Sequence, residues 1–441
     1  MSYNFTQNST VTFQVSSRRA LLLALACCSE TLGVWETTRS DLPGAPRDGG
    51  DAAASEEDTH IMSLMMMLTA PSAVGILAGL KPVTMDYRKL GSSDLMVSSC
   101  CLGTMTWGCQ NTDEEAAAQL NHAWDMGVNF LDTAEIYPVP VEEAKQGATD
   151  RAIGKWLKTN GRARDEVIIA SKVAGYNERF TWMRDGPTRV TRDQIIASVD
   201  ASLERLGVDH LDLLQIHWPD RYVPMFGSVA YDCNKERDDA VSFDEQARAM
   251  GELVKSGKVR SWGLSNETPL GVSAFVAAAQ REGAPPPVSV QNSYSLLQRS
   301  DEVGLVEAVR HHDVAYLPYS PLSAGVLSGK YDGLEAAPEG TRLKLFDKYF
   351  ERYANTCAPE CVECYKNVAF EVGISPAALA IAFCDSRPFV TSTIIGATSM
   401  EQLEVNLQGF GVDWTDELEA DIARIHAYFP DPWRMIVRGG G

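Results

Sequence analysis

Short apolar runs alternate along this chain with stretches whose apolar positions recur every three or four residues. The runs lie at 95–102, 128–131, 167–170, 211–216, 259–264, 288–290, 314–317 and 393–395. Each has the length of a buried strand. The stretches between them read as helices. Thr112 with Glu115 makes a capping box ahead of Ala117, Leu120 and Trp124, and Gly127 ends that helix. Thr191 with Gln194 makes another, leading into Ile195, Val199 and Leu203. Ile153, Trp156 and Leu157 mark a helix closed by Asn160 and Gly161, and Met250, Leu253 and Val254 mark one closed by Gly257. Further helices are expected at 272–280, 305–309, 376–383 and 402–407. Eight strands, each followed by a helix, predict a parallel sheet covered by helices and closed as a (β/α)8 TIM barrel. A doubly wound sheet would carry a G-x-G-x-x-G turn, which is absent, as are the P-loop, H-E-x-x-H and G-x-S-x-G patterns.

Three connections exceed the minimal unit: 174–190, 218–241 and 329–353. The first two leave strand ends on the presumed active-site face and are expected to wall the substrate pocket. The third carries Lys330, Arg342, Lys344 and Lys348.

Composition adds bounds. The chain has 441 residues, 45% hydrophobic and 22% charged, enough for one barrel with extensions. A formal net charge of −20 repels phosphate backbones and argues against a nucleic-acid partner. None of the ten cysteines has the paired spacing of a four-ligand zinc site, and no metal is expected. Cys357, Cys361 and Cys364 read as reduced thiols on a helix. Residues 1–84 form a leader of different character. It has no acidic residue before Glu30, and Arg18 and Arg19 precede an apolar run at 21–28, as in an organelle transit peptide or a short secretory h-region. A second uncharged stretch at 61–80 is long enough for a bilayer but is interrupted by Pro71, Ser72, Gly75 and Gly79. Membrane contact is expected only if that stretch is retained. The barrel is expected over 85–430 and a tail over 431–441. The location expected is the cytoplasm, or a plastid or mitochondrion if the leader is a transit peptide. Nothing in the sequence sets an oligomeric state.

The candidate chemistry sits at three consecutive strand ends: Asp132, Tyr137, Lys172 and His217. A phenol is a poor acid at neutral pH, and a nearby ammonium stabilises its phenolate. Asp132 can hold Lys172 in place, and His217 can donate a hydrogen bond to a substrate oxygen. Such a set polarises a carbonyl so that hydride can reach its carbon. Taken singly, each has a plainer explanation: a helix cap for Asp132, a solvated lysine, a loop aromatic, a packed histidine. Four of them converging on one barrel mouth outweighs those explanations. Gly103 and Thr104 end the first strand, where glycine allows close approach of backbone to a ligand. Trp107 is either a pocket wall or a packed loop aromatic.

The segments L-G-T-M-T-W-G (102–108), F-L-D-T-A-E-I-Y-P (130–138), A-S-K-V (170–173) and D-L-L-Q-I-H-W-P (212–219) resemble the aldo-keto reductase family. So do G-L-S-N-E (263–267), Q-N-S-Y-S-L-L (291–297), P-Y-S-P-L-S-A-G-V-L-S-G-K-Y (318–331) and I-G-A-T-S (395–399). The Y-P-V-P extension after the tyrosine resembles the Tas-like branch, near the β subunits of voltage-gated potassium channels. The resemblance covers about 85–430. It implies NADPH-dependent reduction of a small carbonyl substrate, with Tyr137 as general acid, Lys172 and Asp132 tuning it and His217 orienting the carbonyl. It implies NADP(H) contacts at Ser265, Asn266 and Gln291 for the carboxamide, and at Tyr319 for the nicotinamide ring. Ser320, Leu322 and Lys330 would meet the pyrophosphate, Gly396, Thr398, Gln402 and Asn406 the adenosine end, and Arg342 the 2′-phosphate. It also implies an alternative, a nucleotide-sensing regulatory subunit.

Overall fold

The computed structural model describes residues 81–435 apart from 185, 229 and 332–336. The leader up to residue 80, with its apolar runs at 21–28 and 61–80, lies outside the described residues. So do the tail from 436 and the side chains of 347–350, Lys348 among them.

A hairpin of β1 (Tyr87–Lys89) and β2 (Met96–Ser98) precedes a closed parallel barrel. Its strands are β3 (Cys100–Gly103), β4 (Phe130–Asp132), β5 (Ile168–Val173), β6 (Leu211–Ile216), β7 (Val259–Ser265), β8 (Ser289–Ser293), β9 (Ala315–Tyr319) and β10 (Thr393–Ile395). Each pairs with the next, and β10 returns to β3. The expected (β/α)8 barrel is thus the observed fold. Helices α1 (Asp113–Asp125), α2 (Ala148–Thr159), α3 (Arg192–Leu206), α4 (Phe243–Lys255), α5 (Pro269–Glu282) and α6 (Leu305–His311) alternate with β3 to β9. Beyond β9 come α7 (Arg342–Leu345), α8 (Asp347–Ala354), α9 (Ala358–Glu371) and α10 (Pro376–Asp385), and after β10 come α11 (Met400–Gln408) and α12 (Asp416–Tyr428).

The first capping box forms in full: Glu115 N donates to Thr112 Oγ1 at 3.2 Å, and Thr112 N to Glu115 Oε2 at 2.9 Å. The second forms by half. Thr191 Oγ1 accepts from Gln194 N, but the Gln194 side chain turns back to accept from Arg189 N at 2.7 Å, so it orders the preceding loop. The run at 95–102 is two strands. Its first half pairs antiparallel in the hairpin and its second enters the barrel, with Ser98 Oγ donating to Cys100 O at 2.6 Å across the bend. Leu90, Leu95 and Val97 of the hairpin pack under Cys101, Phe130, Ile168 and Ile394 and plug the N-terminal end of the barrel with apolar side chains. The opposite mouth is left for chemistry.

Strands β5, β8 and β9 run past their predicted ends, because polar residues that face a barrel mouth break an apolar run without breaking the strand. Helices within 329–353 and at 416–428 were not expected. Packing continues beyond 430: Asp431 Oδ1 accepts from Arg299 N at 2.6 Å, and Trp433 is buried. Among the described residues no single helix is long and apolar enough to cross a membrane. One pair bent by 93°, α9 with α10, reaches that length and apolarity only when taken together, and most of α10 is core.

Candidate active site

Side chains two residues apart on a strand share a face, and the barrel interior is layered accordingly. Phe130, Ala170 and Leu213 form part of the apolar floor. Two residues on, the same strands place Asp132, Lys172 and Gln215 in a polar layer toward the mouth, joined by Gln291 of β8. Lys172 is fully buried. Its ammonium donates to Asp132 Oδ2 at 2.6 Å and to Thr133 O at 2.9 Å, and lies 3.4 Å from Tyr137 Oη. Asp132 Oδ1 accepts from Gln291 Nε2 at 2.8 Å and from Gln215 Nε2 at 3.3 Å. The carboxylate thus lies between one cation and two amides, as a buried charge requires. The His217 and Tyr137 rings meet edge to face at 5.7 Å between centroids. The four residues read from the sequence therefore converge on one site.

Burial, and then the Lys172 charge, push the His217 pKa well below the usual imidazole value. His217 is neutral at physiological pH, and its Nδ1 is buried without a partner among the described residues. A neutral imidazole beside a phenol can donate to an oxygen lone pair but adds no charge. Gln215 was missed by sequence reasoning. The signal was there: of the two polar residues in the run at 211–216, Asp212 and Gln215, only Gln215 falls on the same face as Leu213.

The remaining candidates divide. Thr104 is buried and donates to Asp132 O at 2.9 Å, so its hydroxyl braces the site. Gly103 lies where a Cβ would meet Ile395 O at 2.9 Å, so the close approach is to β10. Asn266, at φ 53°, donates to His217 O at 2.8 Å and to Ser265 Oγ at 3.1 Å, and accepts from Tyr319 Oη at 2.5 Å. Asn266, Ser265, Gln291 and Tyr319 thus border the polar layer, with the amides largely engaged within the protein. Gln402 Oε1 accepts from Thr398 N at 3.0 Å, and Asn406 Nδ2 donates to Gly396 O at 3.1 Å, which shapes the turn after β10. A Cβ on Gly396 would meet only Gly103 O, at 3.8 Å, leaving that turn open. Ser320, Ser323, Ala324 and Gly325 have positive φ, so the chain through Leu322 coils into a tight backbone cradle after β9. Partial burial and the nearby Arg342 charge lower the Lys330 pKa. Trp107 is fully buried, its Nε1 donating to Gln119 Oε1 at 3.1 Å, and is a packed loop aromatic. Tyr137 itself belongs to an apolar cluster with Ile136, Met183 and Trp218, flanked by Met105, Phe180, Trp182 and Met225. Cys100, Cys101, Cys361 and Cys384 are buried thiols. No group of three metal-ligating side chains converges among the described residues.

The comparisons agree with this geometry. A profile of the Aldo/keto reductase family matches residues 99–427. Protein tas of Escherichia coli (strain K12) is 39% identical over 349 residues, covering 79% of this chain and 99% of that protein. An aldo-keto reductase of Babesia bovis is 39% identical over 284 residues, 61% of this chain and 99% of its own. A putative voltage-gated potassium channel subunit beta of Schizosaccharomyces pombe is 30% identical over 354 residues, 78% of this chain and 93% of its own. With its eight-stranded barrel, its buried acid, amine, phenol and imidazole, and these relatives, the chain belongs to the aldo/keto reductase family.

Proposed function

We propose that this oxidoreductase reduces an aldehyde or ketone to the alcohol with NADPH, Tyr137 supplying the proton. One observation carries the reading: a fully buried ammonium, fixed by Asp132, lies 3.4 Å from the Tyr137 hydroxyl. A structural lysine has no need of a phenol at that distance.

The residues present fit a dinucleotide. The turn at 320–325 holds four residues at positive φ, and concave backbone turns of this kind bind anions. Lys330 and Arg342 lie close enough for one charge to lower the pKa of the other, a cost that a bound phosphate would relieve. The open turn at Gly396 leaves room for a base. Ser320, Leu322, Lys330 and Arg342 would hold the phosphates, Thr398, Gln402 and Asn406 the adenosine end, and Tyr319 and Asn266 the nicotinamide side.

When bound, NADPH supplies hydride to the carbonyl carbon. The protein supplies the rest. His217 and Tyr137 both donate to the carbonyl oxygen and orient it. As charge builds on that oxygen, the Tyr137 O–H bond breaks and its proton moves to the oxygen, which completes the alcohol. The phenolate left behind faces the Lys172 ammonium, whose charge stabilises it. Asp132 keeps that ammonium charged and in place, while Gln215 and Gln291 keep Asp132 in place.

In the full-length protein, Tyr137→Phe is expected to cut NADPH oxidation with aromatic aldehydes by about 10²-fold or more and to leave NADPH affinity intact. Turnover at the wild-type rate would remove Tyr137 as the acid. A second reading rests on the relatives named as potassium channel β subunits. Tight NADPH binding without turnover over a broad carbonyl panel would favour a nucleotide-sensing subunit.

A further inference from the structure

The loops 174–190 and 218–241 leave β5 and β6 and carry much of the apolar wall beside Tyr137: Phe180, Trp182 and Met183 on the first, Trp218 and Met225 on the second. Loops of this length are ordinarily mobile. Here one carboxylate closes both. The Asp220 side chain, three residues past His217, is wholly withdrawn from solvent. Its Oδ1 accepts from Arg189 Nη2 at 2.9 Å and Val241 N at 2.9 Å. Its Oδ2 accepts from Arg189 Nε at 2.9 Å and Val190 N at 3.0 Å. Val190 and Val241 occupy equivalent places, each the last loop residue before an N-cap, Thr191 and Ser242 respectively. Arg189 then spans to the second loop, donating to Asp239 Oδ2 at 3.2 Å. The opposite ends of the loops also touch. A Cβ on Gly175 would fall 1.9 Å from Trp218 O, and Trp218 Nε1 donates to Tyr176 O at 2.9 Å.

We infer that Asp220 is a positioning residue that joins the two loops into one preformed wall and so sets which carbonyl compounds bind, favouring uncharged substrates with aromatic bulk. This rests on the carbonyl-reductase reading. The carboxylate touches neither the reacting groups nor the candidate cofactor residues, so its effect runs through the position of Trp182, Trp218 and their neighbours. A buried carboxylate with four donors is a strong anchor, because removing its charge leaves buried N–H groups without an equal acceptor. An amide at this position would present two hydrogens to backbone N–H groups that need an oxygen.

The test is Asp220→Asn in the full chain, read in two ways. Steady-state kinetics with a two-ring aromatic aldehyde should show KM raised by about tenfold or more, with kcat and NADPH affinity changed by less than about threefold. A short aliphatic aldehyde, which does not reach the wall, should show little change. Hydrogen exchange should accelerate by about tenfold or more in peptides ending at Val190 and Val241, and not in those of β8 and β9. Arg189→Lys keeps the charge, loses the paired donors, and should reproduce the pattern if the asparagine variant does not fold. Wild-type exchange in both loops would overturn the inference, as would equal losses for the large and the small aldehyde. Absence of turnover in the wild type would overturn the reductase reading alone, and the exchange data would still judge the loop junction.

Discussion

Replacing Lys172 with methionine keeps most of the side-chain stem and removes the ammonium. Two separable losses follow. The first is kinetic. Coulomb's law over the 3.4 Å between Lys172 Nζ and Tyr137 Oη, at an effective dielectric constant of about 20, gives about 5 kcal/mol between ammonium and phenolate. Only the part that grows as the phenol loses its proton lowers the barrier, so kcat should fall by between about 10² and 10⁴. The second is structural. Asp132 would keep Gln291 and Gln215 but lose its 2.6 Å ion pair, and an uncompensated buried carboxylate costs about 3–5 kcal/mol. Adding Asp132→Asn separates the two. The double variant leaves neither charge of the Lys172–Asp132 pair, so most of the lost stability should return while turnover stays low. The assays are kcat at saturating NADPH and urea denaturation, run on both variants. A single variant with kcat within about threefold of wild type would refute the electrostatic role of Lys172. A double variant as unstable as the single one would refute the claim that an unpaired carboxylate causes the loss.

Two further outcomes are expected. Arg342→Ala should weaken NADPH by about tenfold more than NADH in equilibrium binding, because loss of a guanidinium–phosphate contact affects only the 2′-phosphate form; equal losses would show that Arg342 reads something else. Burial pushes the Asp301 carboxyl up to about 6, against its hydrogen bonds from Tyr316 Oη at 2.8 Å and Asn292 Nδ2 at 3.0 Å. A raised carboxyl takes up a proton on folding, so stability falls as pH rises from its unfolded value near 3.9 toward about 6, and the whole cost is present above that. Asp301→Asn, which preserves both contacts, should therefore stabilise by on the order of 2 kcal/mol near neutral pH and by little at about pH 4; an equal gain at both would disprove the titration.

The barrel was legible because its buried strands are apolar runs at regular spacing with capped helices between them. Strand ends were misread where the residues there are polar. Lys172, Gln291 and Tyr319 lie inside strands that seemed to stop short of them, since the mouth-facing layer interrupts the hydrophobic signal. Gln215 was passed over although it lies within the expected strand and its place two residues after Leu213 marks it as inward-facing. Asp220 gave no signal at all. An aspartate before an arginine in a loop is ordinary, and only folding brings Arg189, Val190 and Val241 to its two oxygens. The capping box at Thr191 was read as local, whereas Gln194 serves the loop before it. Several residues assigned to the cofactor by resemblance, Asn266 and Gln402 among them, hold hydrogen bonds within the protein as well.

The hairpin plug beneath the barrel has a consequence for proton traffic. Leu90, Leu95 and Val97 close the lower end with side chains that carry no donor or acceptor, and Phe130, Ala170 and Leu213 above them are apolar too. These side chains offer water no hydrogen-bond partner on the way up from below. In the proposed reaction, a Tyr137 that gives up its proton would regain it from the mouth, through the same opening that would admit substrate and release alcohol. Reprotonation and product release then share one doorway, and whatever crowds that doorway slows both.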